Sequence, residues 1–209
     1  MSLDDVVTGA SDHYGRAELV TLAVRGAVPV LLDRRRIELI DKGLPGAPYH
    51  HEALKLDIGA AIELVNRVRR SVAEHAGAAI STLRARCRAR VLILPASPYD
   101  RLPDSLEEVL RSRPLTYAAD GMLYRESLAA AAAALGMQVR RYPRKTDPTV
   151  LAAEAMGVGA AEVASIIARF GREAGTPWRK DHKMAAAAAL WVLGPRIRRA
   201  GAGPAAAMR

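Results

Sequence analysis

The sequence predicts an α/β fold: a five-stranded mixed sheet, in the element order βββαβαβα, flanked by helices. Three observations predict it. The N-terminal part carries three strand-type apolar runs separated by short turn signals. A long stretch then repeats apolar residues every three or four positions, the period of an amphipathic helix. Beyond it, Val91–Leu94 (VLIL) is apolar without alternation, the pattern of a strand covered on both faces.

Asp5–Ala10 reads as the first strand, Ala17–Val24 as the second and Val28–Leu32 as the third, continuing through alternating positions to Ile40. Gly26 supplies the turn between the second and third. Asp41–Pro48 (DKGLPGAP) is a loop. From Glu52 to about Leu83 the residues Leu54, Ile58, Ala61, Ile62, Val65, Val68 and Val72 form one helical face, with Ile80 and Leu83 beyond and Gly77 as a candidate interruption. The arginines of Arg84–Arg90 suit a helix C-terminus, where cations complement the dipole. After the buried strand Val91–Leu94 come a short helix, Ser105–Arg111, capped by Asp104, and a helix Gly121–Leu135 capped by Asp120 and ended by Gly136. Val139–Tyr142 is the fifth strand. Thr149–Met156 and Ala161–Phe170 are helices divided by Gly157 and Gly159. Asp181 opens an alanine-rich helix that ends at Gly194-Pro195, so residues 1–195 make one domain and 196–209 a flexible basic tail.

Composition narrows the function. The 209 residues include 31 Lys and Arg against 22 Asp and Glu, a net charge of +9 that favours polyanionic partners. A single cysteine, Cys87, excludes an intrachain disulfide and makes a reducing cytoplasm the expected compartment. No apolar run has transmembrane length, so no membrane partner is expected. Aromatic residues are 4% of the chain, which argues against a base-stacking platform for single strands. Phosphate loops, dinucleotide fingerprints, nucleophile elbows and cysteine zinc patterns are absent.

Among candidate site residues, Asp12 stands at a strand end before a tight turn, where a carboxylate either holds a cation or closes an Asx-turn. Asp181 is either a metal ligand or the cap of the last helix, and His182 beside it a proton shuttle or an ordinary helix residue. Asp100, Asp120 and Glu126 are further carboxylates, the last two with caps and helix surface charge as their alternative roles. Tyr49-His50-His51-Glu52 has the residue types of a metal or acid–base site, but adjacent histidines do not share a helix face, and a helix-entry loop is the better reading. Arg16, Arg140, Arg141, Arg144, Lys145, Arg179, Lys180 and Lys183 are candidate phosphate contacts.

Four stretches carry a resemblance: Asp12 followed by His13-Tyr14-Gly15, VLILPASPYD over Val91–Asp100, RKTDPTVLAAEA over Arg144–Ala155, and DHKMAAAAALWVL over Asp181–Leu193. In this order they resemble the ribonuclease H-like superfamily, nearest to RuvC-type Holliday-junction resolvases and their YqgF-type relatives, over Asp5–Leu193. The resemblance implies a Mg²⁺- or Mn²⁺-dependent endonuclease on structured DNA or RNA, working as a homodimer, with Asp12 and Asp181 as metal ligands and His182 in a catalytic role. The chain departs from that pattern at two places. Its inner strand Val91–Leu94 has no acid, and Arg144 or Lys145 stands where an acid is expected after the fifth strand. Asp100, Asp120 and Glu126 are the available substitutes. The departures support a second reading, a catalytically degenerate nucleic-acid-binding or assembly module on the same fold. A third, an actin-like or sugar-kinase-like half domain, is opposed by the short chain and the lack of a second phosphate loop.

Overall fold

The structure, a computed structural model, describes residues 6–201; Asp5 of the expected first strand and residues 202–209 of the expected tail lie outside it. β1 (Val7–His13), β2 (Arg16–Arg25) and β3 (Val28–Glu38) form an antiparallel meander. Its two turns use Gly15 (φ +79°) and Gly26 (φ +62°), left-handed conformations that glycine adopts without a Cβ clash. β4 (Val91–Pro95) pairs parallel with β1, and β5 (Gln138–Tyr142) pairs parallel with β4, giving the sheet order β3-β2-β1-β4-β5. This is the mixed five-stranded sheet that the sequence predicts. β4 is enclosed on both faces and its residues Val91–Leu94 are buried, as its unbroken apolar run requires.

The helices are α1 (Ile58–Cys87), α2 (Leu106–Arg111), α3 (Arg113–Ala134), α4 (Pro148–Met156), α5 (Ala160–Ala174) and α6 (Lys180–Gly201). Strand alternation divides the core. Val7, Val20, Leu22 and Ile93 pack with α4, α5 and α6 on one face, whereas Ala10, Leu19, Ala23 and Leu92 pack with α1 and α3 on the other. A smaller cluster of Tyr49, Ala53, Val65, Val109, Leu110 and Ala119 joins α1, α2 and α3. No single helix among the described residues is long and apolar enough to cross a membrane.

Several boundaries differ from expectation, each for a local reason. α1 starts at Ile58 because Asp57 caps it, accepting from Ala60 N at 2.9 Å; Leu54 and Ile58 are exposed, and Pro48–Glu52 is a separate π-helical turn. The helix passes through Gly77 without a break. α2 is capped by Ser105, which accepts from Glu108 N, while Asp104 pairs with Arg101. α3 begins at Arg113, with a proline in its first turn where the missing N–H is harmless, so Asp120 lies inside the helix rather than at its cap. α6 does not stop at Gly194-Pro195: it runs to Gly201, and residues 196–201 of the expected tail are helical.

The alanine run explains how α6 sits. Ala185–Ala189 are all buried against β1 and β2. A Cβ on Gly9 would lie 1.9 Å from the Ala185 carbonyl oxygen, so helix and strand meet backbone to backbone. Gly194 serves α4 similarly: its Cβ would lie 2.6 Å from that of Ala155. The glycine expected to end the helix is instead where it packs.

Two glycine substitutions should therefore act with opposite signs. Gly9→Ala must lift α6 from the sheet and should cost at least the ~1–3 kcal/mol of core overpacking. Gly77→Ala, in open space on α1, should stabilise by about 0.4–1 kcal/mol. Urea-unfolding midpoints of both variants measure this.

Candidate functional site

Parallel strands β1, β4 and β5 end at one edge of the sheet, where the β1–β2 turn and the start of α6 also lie. Crevices at such carboxyl ends are where open α/β sheets place their ligands. Here β1 ends in Ser11, Asp12 and His13, whose side chains alternate across the sheet.

Asp12 faces α3, on the side of Ala10. Arg125 of α3 grips it with both arms: Nε donates to Oδ1 at 3.1 Å and Nη2 to Oδ2 at 3.0 Å. The Arg125 Nη1 donates to the Ala96 carbonyl at 3.2 Å, tying the pair to the loop after β4. The carboxylate is 5% exposed and the guanidinium 11%, so this is a buried, bidentate ion pair. Sequence reasoning missed Arg125. Its signal is a basic residue on the buried side of a helix, in step with Met122, Leu128, Ala129 and Ala132. Such a position implies a partner, because a lone buried charge is untenable.

Asp181 faces the opposite side of the sheet. Its Oδ1 lies 2.9 Å from His13 Nε2 and accepts from Ser11 Oγ at 3.5 Å. His182 is buried beside Glu18, with Nε2 3.1 Å from Oε2, while its Nδ1 accepts from Arg179 N at 3.1 Å. Burial holds this imidazole below its ordinary pKa; Glu18 and Asp181 oppose the shift, and Arg34 and Arg179 add to it. Asp12 and Asp181 thus share the carboxyl edge but are divided by the sheet.

The other carboxylates also have their own partners. Asp120 is fully buried and accepts from Tyr49 N at 3.1 Å, His50 N at 2.9 Å and His50 Nδ1 at 2.5 Å. Burial raises its carboxyl pKa, against the pull of these donors. Glu126 accepts from Ser97 Oγ and from Arg141 Nη2, the latter at 2.6 Å. Asp100, exposed in the loop after β4, lines a cleft with Arg69, Met122 and Glu126. The Asp120–His50 pair joins residues 70 positions apart, and no local pattern announces it.

Mg²⁺ does not fit this arrangement. A divalent ion at Asp12 would have to displace a guanidinium that occupies both carboxylate oxygens, and it would find no acid on β4. Asp181 is on the other face, and Asp120 and Glu126 are committed elsewhere. Among the described residues, no group of three or more His, Cys, Asp or Glu side chains is arranged to hold a metal ion. The expected Asp12–Asp181 metal pair and the substitutes Asp100, Asp120 and Glu126 therefore do not assemble into one centre. His182, expected as a proton shuttle, is buried against Glu18.

The basic candidates divide into engaged and unengaged groups. Arg140 lies over the Trp191 ring at 5.3 Å and Arg141 pairs with Glu126, whereas Arg179 is exposed and lines a cleft with Glu18, Arg34 and His182. Arg144, Lys145, Lys180 and Lys183 are exposed and Arg16 half-buried, all near the carboxyl edge of the sheet and none in an ion pair among the described residues.

The ion pair, the metal and the imidazole each give a stability measurement. Arg125→Ala leaves a buried carboxylate unpaired and should cost about 3–5 kcal/mol, whereas the apolar double replacement Asp12→Leu/Arg125→Met should cost much less. Millimolar Mg²⁺ should leave the Tm of the wild-type chain unchanged, since a ligand of the native state alone would raise it. Because the folded-state pKa of His182 is depressed, its contribution is present above 6.5 and is lost as pH falls through the lower folded value. His182→Gln should flatten that acid-side decline in urea-measured stability.

Comparison with solved structures places this geometry. RuvC of Thermus thermophilus superposes with a TM-score of 0.53 at 16% identity, over 89% of this chain and 92% of that one. A second T. thermophilus RuvC structure, described as a complex with a Holliday junction substrate, gives 0.53 and 16% over 90% and 91%. The yeast mitochondrial Holliday junction resolvase Ydc2 gives 0.50 and 12% over 95% and 80%. No protein-family model and no curated protein sequence matches the chain. The sheet order, the flanking helices and these neighbours together show that the chain has a ribonuclease H-like fold of the RuvC type.

Proposed function

We propose that this chain binds structured nucleic acid at the carboxyl edge of its sheet, as a module that works without metal-dependent cleavage. The observation that carries this reading is the Arg125 fork on Asp12: an internal cation neutralises the carboxylate that a bound metal would need. The fold supports a nucleic-acid partner, because one structural neighbour is described with a Holliday junction substrate. The charge supports it too. An excess of +9 is combined with Arg16, Arg144, Lys145, Lys180 and Lys183 near one edge, none of them in an ion pair among the described residues. Lysines and arginines placed so contact phosphates and release counterions, which favours binding without reading sequence.

Fluorescence anisotropy with a four-way junction and a linear duplex tests the proposal. Affinity should fall steeply with salt and be the same in EDTA and in Mg²⁺. Replacing Lys145 and Lys183 with alanine should weaken binding and lower the slope of log K against log salt by about 0.9 for each phosphate no longer neutralised. Mg²⁺-dependent cleavage of any branched substrate, abolished by Asp12→Asn, would reject the proposal.

A further inference from the structure

We infer that Tyr14, Tyr117 and His51, grouped around His50, form a stacking site for unpaired nucleobases. This rests on the nucleic-acid reading above and goes beyond phosphate contacts. The chain is poor in aromatics, yet the fold concentrates them. Of its six tyrosines, Tyr49, Tyr124 and Tyr142 are buried, while Tyr14, Tyr99 and Tyr117 are between 42% and 49% exposed. Two of the exposed three flank one histidine. The His50 ring stacks on Tyr117 at 4.3 Å and 28°, meets His51 at 4.1 Å, and meets Tyr14 at 5.9 Å and 52°. These residues come from the β1–β2 turn, the π-helical turn and α3, so only the tertiary fold makes the patch.

The patch is held in place from beneath. Asp120 binds both the backbone N–H and the Nδ1 of His50, and its burial leaves these bonds without competition from water. A fixed ring loses little freedom on stacking, which is the advantage of preorganisation. Cations frame it. Arg113, exposed and without an ion pair among the described residues, stands one turn before Tyr117 on α3, and Arg16 comes after Tyr14 across the turn. Beside Tyr14 a cleft of about 210 Å³ is lined by Asp12, Asp120, Tyr124 and Arg125. Exposed rings bordered by phosphate-seeking cations suit a base with its backbone attached. Bases in an intact duplex are already stacked on one another, so the occupant is an unpaired base of a single strand, a gap or a junction.

The test uses the full chain and two DNA probes: a short single strand with one 2-aminopurine, whose emission is quenched on stacking, and a blunt duplex. The wild type should quench the single-strand probe. Tyr117→Ala and Tyr14→Ala should each weaken single-strand binding at least about fivefold and reduce the quench, and Tyr117→Phe should restore both. Duplex affinity should stay unchanged in all three. Unaltered quenching and single-strand affinity in both alanine variants would overturn the stacking site while leaving duplex binding intact. A wild type that binds neither probe at low salt would overturn the nucleic-acid reading itself, and this site with it.

Discussion

Helix α6 lies so close to β1 that the Ala185 carbonyl occupies the space a Gly9 side chain would need. This backbone contact governs the layout of the whole carboxyl edge. It anchors the start of α6 there and brings Asp181 against Ser11 and His13. Because side chains alternate along a strand, the residue between those two must point the other way. Asp12 is that residue. Its environment is α3, not α6, and the partner it meets is Arg125.

The consequence is electrostatic. A carboxylate buried at a strand end must be neutralised by a proton, a metal ion or an organic cation. Arg125 supplies the last of these, with two hydrogen bonds to the carboxylate and a third to the loop after β4. The same device recurs around the site. Asp120 is met by His50 and two backbone N–H groups, and Glu126 by Ser97 and Arg141. Carboxylates compensated one by one hold elements together, whereas a shared centre would converge on a common ion. Here they connect α3 to β1, to the π-helical turn and to β5.

Positive charge obeys another rule. Among the described residues Arg16, Arg144, Lys145, Lys180 and Lys183 are in no ion pair at the rim, in contrast to the buried Arg125, held by Asp12, and the exposed Arg141, held by Glu126. The buried Arg125 is committed to structure, while these five rim cations remain available to a polyanion. Tyr14 and Tyr117 meet at the His50 ring, and Tyr14 belongs to the β1–β2 turn that also carries Arg16 into β2.

The order and kind of the elements were set by the sequence alone, because strand alternation, helical periodicity and the unbroken run Val91–Leu94 are local properties of the chain. Local patterns also misled where a residue had two possible uses. Asp120 and Gly194 look like helix punctuation, yet one caps the backbone of a distant turn and the other lets α6 approach α4. Which face each acid shares, and with what, was decided only by the tertiary structure. Asp12 with Arg125 and Asp120 with His50 join residues 113 and 70 positions apart, and no short-range spacing encodes which helix will cover a given side of a strand.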